Sequence, residues 1–252
     1  MKKIIIANWK MNPVSIKKAK KLLDSVCRKI QNVRQAEVVF CPPFVYFSIF
    51  SSKLPSSIKI GAQNVFWEME GAFTGEVSSF QLNSLNCSYV IVGHSERRKY
   101  FGETDQNVNQ KIKAVLETKM VPVLCVGETK IQRDAGEVQT ILKRELQEGL
   151  KNVPAGKIKE TGLLVAYEPI WAIGTGRPCD AEEAQKMKLL IKKILSNIYN
   201  QKIANSVKIL YGGSVNSKNA AVYIKEAEFS GLLVGGASLD SVEFSQIVKN
   251  SI

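Results

Sequence analysis

Eight short runs of consecutive apolar, largely β-branched residues punctuate the chain, at 3–7, 37–40, 58–62, 89–92, 121–126, 163–167, 208–211 and 232–234. Each ends in polar, glycine or proline residues. These are Asn8-Trp9-Lys10, Cys41-Pro42-Pro43, Gln63-Asn64, Gly93-His94, Gly127-Glu128, Glu168-Pro169, Gly212-Gly213-Ser214 and Gly235-Gly236. Runs apolar at successive positions predict strands covered on both faces, as in a parallel sheet, rather than strands with one wet side. Between them the apolar period changes to that of a helix. Ile16, Ala19, Leu22, Leu23, Val26, Cys27, Ile30 and Val33 fall on one face. The same pattern covers 105–119, and 181–199 follows a capping box formed by Asp180 and Glu183.

Strand and helix therefore alternate from end to end. Eight such units in 252 residues match a closed (β/α)8 barrel, an α/β fold, and no Pro/Ser/Gly linker divides the chain, so 1–252 is expected to be a single domain. A doubly wound open sheet is the main alternative, but it favours a G-x-G-x-x-G turn after the first strand. Here that strand runs into Asn8-Trp9-Lys10-Met11-Asn12-Pro13. A solenoid would show a recurring repeat, and the spacings are uneven.

Composition narrows the class without changing the fold. Hydrophobic content of 45% with 23% charged residues excludes disordered and fibrous chains. The five cysteines are odd in number and contain no C-x-x-C, which suits neither a disulfide framework nor a zinc site. A reducing, cytoplasmic setting is expected. The apolar opening stops at Asn8, too short for a signal peptide, and no stretch nears the roughly 20 apolar residues of a membrane span.

Charge adds a question. The net +12 is concentrated in residues 1–34, which carry ten Lys/Arg against Asp24 alone, and in 185–225, with eight Lys and no acid. Both blocks read as solvated helix faces, with Lys17, Lys18, Lys20 and Lys21 outward in the first and Lys186, Lys188, Lys192 and Lys193 largely outward in the second. No aromatic residues are interleaved for base stacking, so no specific nucleic-acid partner is expected.

In a parallel barrel the residues just after each strand share one rim. That rim would collect Asn8, Lys10, His94, Glu168 and the glycine-rich turns at 174–176, 212–213 and 235–236. Singly, each has an ordinary structural explanation: a core histidine, a paired strand-end carboxylate, a loop lysine, a turn. Together they offer one cation, the chain's one imidazole, one carboxylate and several exposed backbone N–H groups, which suits a small phosphorylated substrate. A Schiff-base aldolase acting through Lys10 is open on the residues alone. A metal-dependent epimerase is disfavoured because one histidine gives few ligands.

Five segments make the pattern specific: Asn8-Trp9-Lys10-Met11-Asn12, the run from Val92 to Arg98, the run from Ala166 to Gly176, Tyr211-Gly212-Gly213-Ser214-Val215, and the run from Leu233 to Leu239. In this order they resemble the triosephosphate isomerase family over about residues 4 to 248. The resemblance implies interconversion of dihydroxyacetone phosphate and D-glyceraldehyde 3-phosphate through an enediolate. Glu168 would be the base, His94 a neutral imidazole donating to the carbonyl oxygen, Lys10 the fixed cation and Asn8 a supporting hydrogen bonder. The phosphate would rest on N–H groups of Gly174, Ser214, Gly235 and Gly236, and residues 169–177 would form a lid. Glu96 and Cys125 match supporting positions. Only hydrogen moves, so neither metal nor organic cofactor is implied. The resemblance also implies a homodimer, built through the apolar loop 65–77, with Thr74 of one chain setting Lys10 of the other.

Overall fold

Eight parallel strands close on themselves in sequence order: β1 (Lys3–Asn8), β2 (Ala36–Cys41), β3 (Ile58–Ala62), β4 (Cys87–Val92), β5 (Val121–Val126), β6 (Leu164–Tyr167), β7 (Lys208–Tyr211) and β8 (Gly231–Val234). The computed structural model describes residues 2–50, 54–55, 57–174 and 178–252. Outside the strands lie α1 (Ile16–Ile30), α2 (Ser79–Ser84), α3 (Ser95–Phe101), α4 (Asp105–Glu117), α5 (Lys130–Asp134), α6 (Val138–Gly149), α7 (Ala155–Thr161), α8 (Ala181–Ile198), α9 (Gln201–Ser206), α10 (Ala220–Lys225) and α11 (Ser241–Asn250). All eight predicted strands are present, and β1 pairs with both β2 and β8, which closes the ring.

Continuous apolar runs arise because the strands face two separate cores. Alternate residues fill the barrel itself: Ile4, Ile6, Val39, Cys41, Ile91, Val123, Cys125, Leu164, Ala166, Leu210 and Leu233. Their neighbours, such as Ile5, Ala7, Val38, Phe40 and Val165, join the helices in a larger outer layer. A two-residue period therefore cannot appear in the hydropathy, since both parities are buried. Gly61 shows how tightly the inner core is filled, because a Cβ there would stand 2.5 Å from Cys41 Sγ. Such a contact leaves room only for glycine.

The first basic block is largely as expected. Ala19, Leu22, Leu23, Val26 and Ile30 are buried along α1, while Lys17, Lys18, Lys20 and Lys21 are exposed; Ile16 is the exception, 53% exposed at the helix start. The second block needs correction. Lys188 is buried, and its ammonium donates to the carbonyls of Ala227 (2.8 Å) and Glu228 (3.3 Å) after α10. Lys192, one turn further on, donates to the carbonyls of Ala204 (2.6 Å) and Val207 at the end of α9. Two lysines of α8 thus satisfy the open carbonyls of two neighbouring helix ends, where a positive charge also suits the helix dipole. Burial, with Lys188 beside it, pushes the Lys192 ammonium down to about 8. Only Lys186 and Lys193 of the four point to solvent.

Candidate active site

The strand ends deliver their polar residues to one cavity of about 360 Å³, and Asn8, Lys10, His94, Glu168, Gly174, Ser214, Gly235 and Gly236 all line it. These eight residues, expected from the sequence to act on the substrate or bind its phosphate, therefore share one wall, while Glu96 and Cys125 are not part of it. Of the lid segment 169–177, Ile170–Ala172 form a 3-10 turn and Ile173 and Gly174 reach the cavity. Residues 175–177 lie outside the described residues.

His94 is the N-cap of α3, and its Nδ1 accepts from the Glu96 N–H at 3.2 Å. A nitrogen that accepts carries no proton, so the neutral ring holds its hydrogen on Nε2. That Nε2 stands 3.2 Å from Glu168 Oε1, both side chains being almost wholly buried. The second carboxylate oxygen, Oε2, accepts from the Ser95 N–H at 3.0 Å. Glu168 follows β6 directly, with its own N–H donating to Val126 O at 2.8 Å. The adjoining Cys125 is a barrel-lining thiol. Burial, with the Glu168 carboxylate nearby, pushes its pKa well up, so it remains S–H and adds no charge.

Lys10 adopts a left-handed backbone, φ +53°, costly for a residue with a side chain. Two contacts hold it there. The Asn8 side chain accepts from the Lys10 N–H at 3.1 Å, and the Gln63 amide donates to the carbonyls of Lys10 (2.9 Å) and Cys41 (2.8 Å). The Lys10 ammonium meets Glu96 Oε1 at 2.5 Å and lies beside the Gly235 backbone, where a Cβ would come within 3.2 Å of Lys10 Cε. Gly235 is the N-cap of the turn Gly236–Leu239, and Gly235, Gly236 and Ala237 line the cavity beside this cation, which suits an anion there. Among the described residues no group of three or more His, Cys, Asp or Glu side chains is placed to hold a metal ion.

Sequence reasoning missed three contributors. Glu128, fully buried after β5, accepts from Tyr167 Oη (3.1 Å), Trp171 Nε1 (2.8 Å) and Arg133 (3.0 Å), tying the start of the 169–174 segment to β5 and β6. Its position at a strand end was visible, but two of its partners, Tyr167 and Trp171, lie about forty residues further along the chain. Gln63 pins the strained Lys10. Gly127 packs so closely on the Glu168 peptide that a Cβ would lie 1.7 Å from Glu168 O.

A buried carboxylate, a neutral imidazole donor and a fixed cation around a cradle of backbone amides suit an enzyme that relocates a proton on a small phosphorylated compound. The family model for triosephosphate isomerase matches residues 3–251. Triosephosphate isomerase of Dictyoglomus turgidum is 41% identical over 99% of both chains. That of Moorella thermoacetica is 44% identical over 98% of this chain and 97% of its own, and that of Gloeothece citriformis is 45% identical over 99% of each. The chain belongs to the triosephosphate isomerase family, and it is an isomerase of the aldose–ketose kind.

Proposed function

We propose that Glu168, His94, Lys10 and Asn8 carry out the interconversion of dihydroxyacetone phosphate and D-glyceraldehyde 3-phosphate, a step of glycolysis and gluconeogenesis. The observation that carries this reading is the pairing of Glu168 Oε1 with the protonated Nε2 of His94 at 3.2 Å on the wall of a glycine-lined cavity. Glu168 leaves the Ser95 N–H and takes a proton from the carbon next to the carbonyl. The C–H electron pair becomes the carbon–carbon double bond, and the carbonyl pair moves onto oxygen, where His94 Nε2–H donates to it. His94 then passes its Nε2 proton to that oxygen and takes the proton of the neighbouring hydroxyl in its place. When Glu168 returns the carbon proton to the former carbonyl carbon, the new carbonyl forms at the other oxygen and both residues regain their starting states. Lys10 offsets the charge on the enediolate and phosphate, and Asn8 keeps its backbone in place. N–H groups of Gly174, Ser214, Gly235 and Gly236 bind the phosphate, whose binding energy orders the reacting end.

That last role has a direct test. Removing the phosphate from the substrate should lower kcat and not only raise KM, because remote binding energy is used in the transition state. D-glyceraldehyde should turn over at less than about a thousandth of the kcat/KM of its 3-phosphate, a loss of at least about 4 kcal/mol of transition-state binding. Comparable rates in a coupled assay would remove the phosphate cradle from the mechanism.

The working unit is a homodimer of this one-domain barrel, with residues 65–77 as the contact. Phe66 stacks on Trp67 and Phe73 with ring centres 4.1 and 4.7 Å apart, which braces a loop whose tip leaves Met69 57% and Phe73 42% exposed. A braced, protruding apolar tip suits insertion into a partner. Its base is anchored by buried Lys111, which donates to Asn64 Oδ1 at 2.7 Å and pairs with Glu103. Sedimentation should give twice the 28.0 kDa chain mass. Deleting 69–73 should yield a monomer with kcat lowered about tenfold or more, as small displacements of a charged group near the reacting atoms are costly. A monomeric wild type of full activity would exclude the interface. The cytoplasm is the proposed location, a compartment that keeps thiols such as the five unpaired cysteines reduced.

A further inference from the structure

Behind the cavity, on the side away from the substrate, lies a carboxylate that the reaction does not use. Glu145, in the middle of α6, is 4% exposed, and its Oε2 accepts from the Gly127 N–H at 2.9 Å. Gly127 is the residue whose α-carbon presses on the Glu168 carbonyl. The other oxygen, Oε1, faces the guanidinium groups of Arg98 at 3.9 Å and Arg144 at 3.8 Å. Arg98 in turn donates from Nε to the Gly93 carbonyl at 2.8 Å, immediately before His94. Its NH2 lies against Gly93, where a Cβ would come within 3.1 Å, and has no hydrogen-bond partner. One side chain is therefore linked through Gly127 to the base and through Arg98 to the imidazole.

We propose that Glu145 is a positioning residue for the isomerisation, holding the Gly127 turn under Glu168 and, through Arg98, the Gly93 peptide that sets His94. It touches no reacting atom. The role rests on Glu168 and His94 carrying the chemistry. Two contacts are made in different ways. The hydrogen bond to the Gly127 N–H needs only an oxygen acceptor, whereas the hold on Arg98 needs charge. The charged groups around the carboxyl are Arg98 from α3, Asp105 from the first turn of α4 at 2.5 Å from Arg98, and Arg144 from α6 itself. Cys125 from β5 stands near Arg98 as a neutral thiol.

Burial pushes the Glu145 carboxyl up to about 7, against the opposing pull of Arg98 and the Gly127 N–H. A raised value means that the folded protein retains the proton up to neutrality, so the Arg98 contact gains its charge only as pH rises through about 7. The hydrogen bond to Gly127 is present on both sides of that pH. Positioning of His94 should accordingly tighten between pH 6 and 8.5, and positioning of Glu168 should change little.

Glu145→Gln tests this, since it keeps the shape and the acceptor for Gly127 but never ionises. The ratio of its kcat to that of the unaltered enzyme should be close to one at pH 6 and fall to about one third or less by pH 8.5, with KM little changed; losses of this order are what a slight misplacement of a catalytic group produces. The fall should follow a single ionisation near pH 7. Glu145→Leu, which also removes the acceptor, should lower kcat at both pH values. Melting temperatures and far-ultraviolet circular dichroism establish that each variant is folded; a purely structural role would lower the melting temperature and leave kcat per folded site unchanged. A ratio for Glu145→Gln that stays flat from pH 5.5 to 9 overturns the proposal. Should Glu168→Gln keep its turnover, the underlying reading fails as well; a flat ratio beside an inactive Glu168→Gln removes only the role of Glu145.

Discussion

Glu168→Gln should abolish nearly all turnover while leaving the fold intact, with kcat lowered by at least about three orders of magnitude, the upper part of the range for losing a general base. Geometry makes the replacement worse than a mere loss of basicity. The carboxylate accepts from two donors, the Ser95 N–H at 3.0 Å and His94 Nε2–H at 3.2 Å. A glutamine offers one acceptor and one donor, so in either orientation its amide NH2 opposes an N–H. His94 cannot relieve the conflict by moving its proton to Nδ1, because that nitrogen accepts from Glu96 N–H. The substrate still has the glycine cradle and Lys10, so KM should change far less than kcat. A coupled assay of D-glyceraldehyde 3-phosphate isomerisation, with circular dichroism as the fold control, decides it. Turnover within tenfold of the unaltered chain would mean another group takes the proton.

The second large effect falls on stability. Gly231→Ala should prevent barrel closure, giving an insoluble chain or a loss of about 4 kcal/mol or more, the range reserved for clashes in a core that cannot relax. Gly231 starts β8 and pairs with Ile4 of β1, and a Cβ there would lie 1.8 Å from the Ile4 carbonyl oxygen. No flexible side chain is involved; backbone meets backbone at the seam where the ring of strands closes. Gly156→Ala is the natural control. It lies in the first turns of α7 with nothing within 4 Å of its would-be Cβ. Alanine there should be neutral or stabilise by up to about 1 kcal/mol, the usual helix preference over glycine. Urea midpoints for both variants check the contrast, and a soluble Gly231→Ala with an unaltered midpoint would refute the close approach.

What was legible in the chain follows from what each kind of interaction needs. Strand runs and helix faces are local patterns, so β1 to β8 and the apolar face of α1 could be read directly. Asn8, Lys10, His94 and Glu168 could be gathered as a set because a parallel barrel sends all its strand ends to one rim. Lys188 and Lys192 misled, because a lysine on a helix reads as solvated unless its carbonyl partners are known, and those lie 12 to 40 residues away in α9 and after α10. Glu128, Gln63, Gly127 and Glu145 escaped for the same reason. Glu145 in particular looks like one more polar residue of an amphipathic helix until α6 packs it against the Gly127 turn.

By itself, then, the order of apolar runs and helical periods determined the barrel, since burial of both strand parities between crossover helices has few other solutions. The strand-end residues determined which chemistry could be assembled. Only the tertiary structure decided how those groups are set: the His94 proton on Nε2, Glu168 resting on Ser95, Lys10 held in a strained backbone, and Glu145 placed behind them. These depend on hydrogen bonds and close backbone approaches between segments far apart in the chain. Such contacts are set to a few tenths of an ångström by packing and leave no periodic trace in the sequence.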